Sequence, residues 1–310
     1  MQIENILVVS PMWKEIQSLI SENKLQKNFR YVSETQVVQD DLEWADAFVA
    51  FNIEKEFDYR QVKWVHSLGA GVDSFVYKKE WPEQVLLTRT ICSFGQRIAE
   101  YCLSYILRDI QFHEQFQRNK LEKRWQPITP GLLSEQKVMI FGTGEIGQTM
   151  AKTFSFLGVD VYGVSLSGKT KEYFSEVNAI DSFEDRLKEM NYIINTLPLT
   201  ENTTGLFDHE FFQAVHDVGF INVGRGASLD EAALLLALEK QQVRFAVLDV
   251  FSNEPLSSEN KLWEHPHVWI TPHISAVTTP SEGVDCFIDT LKNIEANKPL
   301  LNKVDIQKGY

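Results

Sequence analysis

Three side chains of kinds that bind carboxylates and exchange protons each follow a short apolar run: Arg225 in INVGRG, Glu254 in LDVFSNEPL and His273 in ITPHIS. A guanidinium presents a planar fork that holds a carboxylate through two parallel hydrogen bonds, and an imidazole titrates near neutrality, so it can give a proton to a carbonyl oxygen. A carboxylate beside that imidazole favours its protonated form and holds its orientation. Each residue alone has a plainer use: Arg225 as a solvated loop cation, Glu254 as a turn residue before Pro255, His273 as a core imidazole after Pro272. Their joint placement at the ends of three apolar runs is what points to a site. His265, His267 and His273 also suggest a metal, but Pro266 and an intervening strand separate them, so no metal site is expected.

A second pattern concerns phosphate. KVMIFGTGEIGQTMA carries Gly142, Thr143, Gly144, Glu145, Ile146 and Gly147 directly after a strand pattern and at the start of a helical one. In that context Gly-x-Gly-x-x-Gly gives a tight turn, close approach of a pyrophosphate and tight helix–strand packing, with the helix N-terminus favouring the negative charge. A site for NAD usually places an Asp or Glu about 20 residues on, at the end of the next strand. This chain has Ser165, Leu166, Ser167, Gly168 and Lys169 there. A 2′-phosphate meets no carboxylate, and Ser165, Ser167 and Lys169 could bind it, so NADPH is favoured, with NADH as the alternative. A further glycine-rich strand end, Gly69-Ala70-Gly71-Val72-Asp73, offers backbone N–H groups to a carboxylate or is simply a packing turn.

The elements that must position these residues alternate between short β-branched runs and helix-length amphipathic segments, the pattern of parallel sheets with crossover helices. Strands are expected near 5–10, 46–51, 62–68 and 85–90, then a long helix near 95–119. Six more strands are expected near 137–142, 159–164, 192–197, 218–223, 244–249 and 268–272, followed by a helix near 281–297. The fold class is α/β, with two doubly wound parallel-sheet domains: a Rossmann-type nucleotide domain and a smaller flavodoxin-like one. Residues 1–95 form the first part of the substrate domain, 96–278 the dinucleotide-binding domain, and 279–310 a helix and tail returning to the first. The polar stretch 113–136, with Trp125 and two prolines, reads as a solvated arm or a subunit contact, and a homodimer is expected.

Composition sets the bounds. The 310 residues suggest about two domains, and the formal charge of −13 opposes a polyanion, so nucleic acid is an unlikely main partner. No apolar run is long enough to span a bilayer, and MQIENILVVS lacks the character of a signal peptide, so a cytoplasmic protein without membrane partners is expected. Three cysteines without CxxC spacing give neither a disulfide framework nor a zinc site.

Taken together, SLGAGVD at 67–73, the segment around Ala99-Glu100-Tyr101, GTGEIG, NVGRG, LDVFSNEPL, TPHISAVT and the ending VDIQKGY resemble the D-2-hydroxyacid dehydrogenases. GAGVDS, LWEHPHVWITPHISAVT and the final GY look most like the glyoxylate/hydroxypyruvate reductase branch. The resemblance implies a 2-oxoacid reductase that closes two domains over its substrate. In it Arg225 binds the carboxylate and carbonyl, His273 is the acid/base, Glu254 pairs with His273, and the Ala70–Gly71 backbone holds the substrate carboxylate. It likewise implies that Asp249 contacts the nicotinamide carboxamide side, with Leu197, Pro198, Val223 and Gly224 among the cofactor contacts. Two departures stand out: the loop after the second strand lacks the arginines that NADPH-using relatives often carry, and FGQRIA at 94–99 differs from the branch. Two rivals share the fold, a phosphoglycerate dehydrogenase-like enzyme and a non-catalytic nucleotide-sensing corepressor or scaffold.

Overall fold

The computed structural model describes residues 1–51, 53 and 55–310. In chain order the strands are β1 Asn5–Val9, β2 Asn28–Val32, β3 Ala47–Ala50, β4 Trp64–Ser67, β5 Leu86–Arg89, β6 Lys137–Phe141, β7 Asp160–Ser165, β8 Glu176–Ala179, β9 Tyr192–Asn195, β10 Val218–Asn222, β11 Val243–Leu248 and β12 Val268–Ile270. The α-helices are α1 Trp13–Glu22, α2 Gln39–Trp44, α3 Asp73–Val76, α4 Phe94–Ile110, α5 His113–Leu121, α6 Glu145–Phe156, α7 Glu184–Leu187, α8 His209–Gln213, α9 Glu231–Glu239 and α10 Pro280–Glu295.

The chain divides into two compact units, Met1–Phe94 with Val277–Tyr310, and Gly95–Ala276. In the smaller unit the parallel sheet has the order β2-β1-β3-β4-β5, the flavodoxin-like arrangement. Strand side chains alternate by face, which sorts the core into two layers. Leu7, Val9, Phe48, Ala50, Val65 and Leu87 pack on one side. Ile6, Val8, Ala47, Val49 and Trp64 pack on the other, against Ile16 and Ile20 of α1 and Phe287, Ile288 and Leu291 of α10. The final residues return to this sheet: Arg89 donates its N–H to the Asn302 carbonyl at 3.0 Å and Val304 to the Leu87 carbonyl at 3.0 Å.

The larger unit holds a parallel sheet of order β12-β11-β10-β9-β6-β7-β8, so β6 lies beside the central strand β9, where the strand order reverses. Both of its faces are buried. Met139, Phe141, Ile193, Phe220 and Leu248 face one cluster, and Val138, Ile140, Ile194, Ile221 and Val247 the other, which Ile98, Cys102 and Ile106 of α4 help to close.

Three expectations about elements need correction. β2 and β8 were missed in the sequence pattern, and both are edge strands. Their sequences, NFRYV and EVNA, carry charged or amide side chains and lack the continuous apolar run of a strand buried on both faces. The nucleotide sheet therefore has seven strands rather than six, and the third is β8. The helix expected over 95–119 is two helices, because Phe112 adopts the left-handed conformation at φ +53 and turns the chain between α4 and α5. The start of the supposed arm is thus helical, and Asn119 within it is buried. Among the described residues no helix is long and apolar enough to cross a membrane, and no group of three His, Cys, Asp or Glu side chains could hold a metal.

Candidate active site

At the end of β6 the chain turns at Gly142 with φ +103, a conformation that side-chain-bearing residues rarely adopt. At Gly147 a Cβ would stand 1.8 Å from the Gly142 carbonyl oxygen, so the first turn of α6 lies directly against the strand end. Gly144 differs: a Cβ built there meets nothing within 4 Å, and no side chain caps the helix. A helix N-terminus beside an open glycine is the space a pyrophosphate needs, and the residues at 142–147 fit a dinucleotide.

β7 ends at Ser165, whose carbonyl accepts from the Ile180 N–H at 3.0 Å. Ser167 and Lys169 are exposed, and Gly168 between them takes φ +61 close against Ala179 of β8. No carboxylate stands among residues 165–169.

The three adjacent strands β10, β11 and β12 bring the reactive residues of this unit to their C-terminal ends, where ligands of open α/β sheets bind. His273 Nδ1 lies 2.8 Å from Glu254 Oε2. The other oxygen of Glu254 accepts the Phe251 N–H at 2.9 Å. Burial raises the Glu254 carboxyl, but the hydrogen bonds from His273 and the Phe251 N–H, with the charges of His273 and Arg225, outweigh it and hold it below its ordinary value. An ionised Glu254 can only accept, so His273 Nδ1 carries the shared proton and Nε2 is the nitrogen left to exchange one.

His273 is held in an unusual backbone conformation, φ +55. Asp249 accounts for it. Its carbonyl accepts the His273 N–H at 2.8 Å, while its fully buried carboxylate accepts the Ile274 N–H and the Ser275 N–H, each at 2.8 Å, and the Thr271 hydroxyl at 2.5 Å. Thr271 is in turn hydrogen-bonded to the Tyr101 hydroxyl at 2.6 Å. Asp249 therefore braces both sides of His273, a role the sequence pattern did not suggest.

Arg225 sits in extended backbone one residue before a 3-10 turn at Gly226–Ser228. Its Nη1 donates to the Gly224 carbonyl at 2.7 Å. A Cβ at Gly226 would fall 1.8 Å from the Phe251 carbonyl carbon, so the arginine loop lies against the segment that carries Glu254. Arg225, Glu254 and His273 are thus brought together. Leu197, Val223 and Gly224 stand at the neighbouring ends of β9 and β10, joined through the buried amides of Asn195 and Asn222. Sequence reasoning missed these two asparagines, although a fully polar residue closing an apolar strand, as in YIIN and VGFIN, was the available signal.

In the smaller unit Ala70 and Gly71 lie in the loop after β4. Ser67 shapes it: its hydroxyl donates to the Gly71 carbonyl at 3.0 Å and accepts the Gly69 N–H at 3.2 Å. The helix after this loop is the single turn α3.

A cavity of about 490 Å³ in the larger unit lies elsewhere. Arg244 and His267 line it at the N-terminal ends of β11 and β12, together with Phe112, Gln126 and Ile128.

A sheet that reverses its strand order at a glycine-rich turn, with Arg, Glu and His at three strand ends, defines an NAD(P)-dependent oxidoreductase. The chain matches the family model "D-isomer specific 2-hydroxyacid dehydrogenase, NAD binding domain" over residues 102–275 and belongs to that family. Its likeness to the glyoxylate/hydroxypyruvate reductase branch is borne out. It is 33% identical over 258 residues to the glyoxylate/hydroxypyruvate reductase A of Klebsiella pneumoniae, covering 81% of this chain and 83% of that one. A crystal structure of a D-isomer specific 2-hydroxyacid dehydrogenase from Xanthobacter autotrophicus in complex with NADPH and MES is 29% identical, with TM-score 0.90 and full coverage of both chains. The NADPH-dependent glyoxylate/hydroxypyruvate reductase of Sinorhizobium meliloti, 24% identical with TM-score 0.87 over 99% of this chain and 100% of that one, shares the fold.

Proposed function

We propose that the protein reduces a small 2-oxoacid of the glyoxylate/hydroxypyruvate kind to the D-2-hydroxyacid, with NADPH preferred over NADH. The observation that carries this reading is the His273–Glu254 pair at 2.8 Å with the Arg225 charge close enough to help depress the Glu254 carboxyl. Reduced nicotinamide supplies the hydride to the 2-carbon. His273 gives its Nε2 proton to the carbonyl oxygen, Glu254 stabilises the imidazolium that gives it, and Arg225 binds the carboxylate and the oxygen as charge develops. Asp249 keeps His273 aimed and borders the nicotinamide carboxamide. The pyrophosphate is assigned to Gly142, Thr143, Gly144, Glu145, Ile146 and Gly147, the 2′-phosphate to Ser165, Ser167 and Lys169, and the remaining cofactor contacts to Leu197, Pro198, Val223 and Gly224.

The unit Gly95–Ala276 serves as the dinucleotide-binding domain and the smaller unit as the substrate domain, whose Ala70 and Gly71 backbone holds the substrate carboxylate. The reductase activity of the Klebsiella relative and the NADPH bound by the Xanthobacter protein support this reading. The protein acts in the cytoplasm as a homodimer. The exposed apolar side chains Leu121, Trp125 and Leu132 on the segment after α4 support a subunit contact there, and light scattering at micromolar concentration reads it directly.

The test is a panel of 2-oxoacids with each cofactor, run on the wild type and on site variants. NADPH should give the higher kcat/KM, and Ser165→Asp should flatten or reverse the ratio by repelling the 2′-phosphate. His273→Asn should lower kcat by roughly 10²–10⁴ with cofactor affinity retained, and Arg225→Gln should raise KM and lower kcat together. Glu254→Gln removes the charge that favours imidazolium, and reduction needs the protonated ring, so activity should be lost at a lower pH than in the wild type. Equal use of both cofactors, or normal turnover by His273→Asn, would overturn the corresponding assignment.

A further inference from the structure

Beneath the Arg225 loop lies a closed set of polar side chains. Asn195, Asn222 and Ser228 are each fully buried. The Asn195 amide donates both to Asn222 Oδ1 at 2.9 Å and to the Ser228 hydroxyl at 2.8 Å, while its own carbonyl oxygen accepts the Leu197 N–H at 3.0 Å. The Ser228 hydroxyl donates to the Arg225 carbonyl at 2.6 Å, and the Asn222 amide donates to the same carbonyl at 3.2 Å. Asn222 Oδ1 also accepts the Gly224 N–H at 3.2 Å. Packing does not require amides here, since an apolar side chain would fill the same volume without the cost of burying a polar one. What the amides supply is direction. Two side-chain donors converge on one backbone oxygen, that of Arg225, which the Ser228 N–H also reaches at 3.3 Å, and both side chains are anchored to the end of β9 through Asn195.

We infer that Asn195, Asn222 and Ser228 are positioning residues that set the backbone of Arg225 and so the aim of its guanidinium at the substrate carboxylate. The inference rests on the role proposed above for Arg225. Asn195 is the junction, because it alone bonds both partners on the β10 side and the Leu197 backbone on the cofactor side. A displacement of about 1 Å at a binding group can cost on the order of 10²-fold in rate, so a small relaxation of the loop is enough to be measured.

The test is a double-mutant cycle on the full-length protein with NADPH and glyoxylate. Ser228→Ala deletes one donor to the Arg225 carbonyl and should lower kcat/KM about 10-fold or more, chiefly through KM for the oxoacid. Ser228→Cys, of nearly the same size with a weaker donor, should recover part of the loss. In an Arg225→Gln background the same Ser228→Ala change should alter kcat/KM by less than about twofold, because there is no guanidinium left to aim. Equal losses from Ser228→Ala in both backgrounds would overturn the inference while leaving the role of Arg225 intact. An Arg225→Gln enzyme with unchanged KM would overturn both. Should Ser228→Ala melt below the assay temperature, Asn222→Ser read in the same cycle decides between the same outcomes.

Discussion

Two glycine-rich strand ends look alike in the sequence and are built on different physics. At Gly142–Gly147 the backbone itself demands glycine: φ is positive at Gly142 and a Cβ at Gly147 would collide with a backbone oxygen. After β4, a Cβ at Gly69 would find only ordinary contacts, 3.8 Å from Ser67 Oγ and 3.9 Å from a Phe51 ring carbon. There a serine side chain holds the loop through its hydrogen bonds to residues 69 and 71. The helix that follows has 12 residues in the first case and 4 in the second. The glycine pattern is therefore enforced by the backbone only where a long helix packs against the strand end. Elsewhere the same letters mark a loop that a side chain could shape equally well.

The strongest way to break this contrast is Gly147→Ala. Its Cβ has nowhere to go without separating α6 from β6, so the loss of stability should exceed about 4 kcal/mol, or the nucleotide unit should not fold. A near-normal denaturant midpoint would show that the turn is more forgiving than its geometry indicates.

The second expectation concerns the strand before the serine-held loop. His66, next to Ser67, is completely buried, with Nδ1 2.8 Å from the Thr88 hydroxyl that also accepts the Trp64 indole N–H. Burial pushes its imidazole down to about 3. The folded form therefore resists a proton that the unfolded chain accepts near pH 6.5. Its contribution is intact above that pH and is lost as pH falls towards 3, by about 5 kcal/mol at the acid limit. Amide exchange in β4 should accelerate over this window in the wild type and lose that pH dependence in His66→Gln. Among the described residues the larger unit has no buried histidine, so its glycine turn should not share the transition.

Third in size is Gly144→Ala. The site is open and its φ is −71, so stability should change by less than about 1 kcal/mol. NADPH should nevertheless bind at least about 10-fold more weakly in a fluorescence titration, because the methyl group stands where the pyrophosphate must approach. Smallest of all is Gly69→Ala, which should stay within about 0.5 kcal/mol, whereas Ser67→Ala beside it should cost about 1–3 kcal/mol by stranding the loop's polar groups. Urea denaturation of the pair compares side-chain control of this loop with backbone control at β6.

How much of this was legible beforehand follows the same division. The central strands announced themselves because β3, β4, β9 and β10 are buried throughout, so they open on apolar residues and carry polar ones only at their C-terminal ends. Edge strands β2 and β8 did not, since a sheet edge tolerates NFRYV and EVNA as readily as a loop would. Arg225, Glu254 and His273 could be picked out because strand ends in such sheets converge, and their residue types suit one reaction.

The sequence by itself determined the fold class, the glycine-rich turn after β6, the missing carboxylate after β7 and the trio Arg225, Glu254 and His273 at strand ends, because each depends on local spacing or on residue type at a strand end. Only the tertiary structure decided what holds the trio in place. Asp249 reaches across to the N–H groups of Ile274 and Ser275, and Asn195 bonds to Asn222 and to Ser228, 27 and 33 residues away. Those partners are chosen by which strands lie side by side in the sheet. Strand adjacency is a product of whole-domain packing, and no short stretch of sequence encodes it.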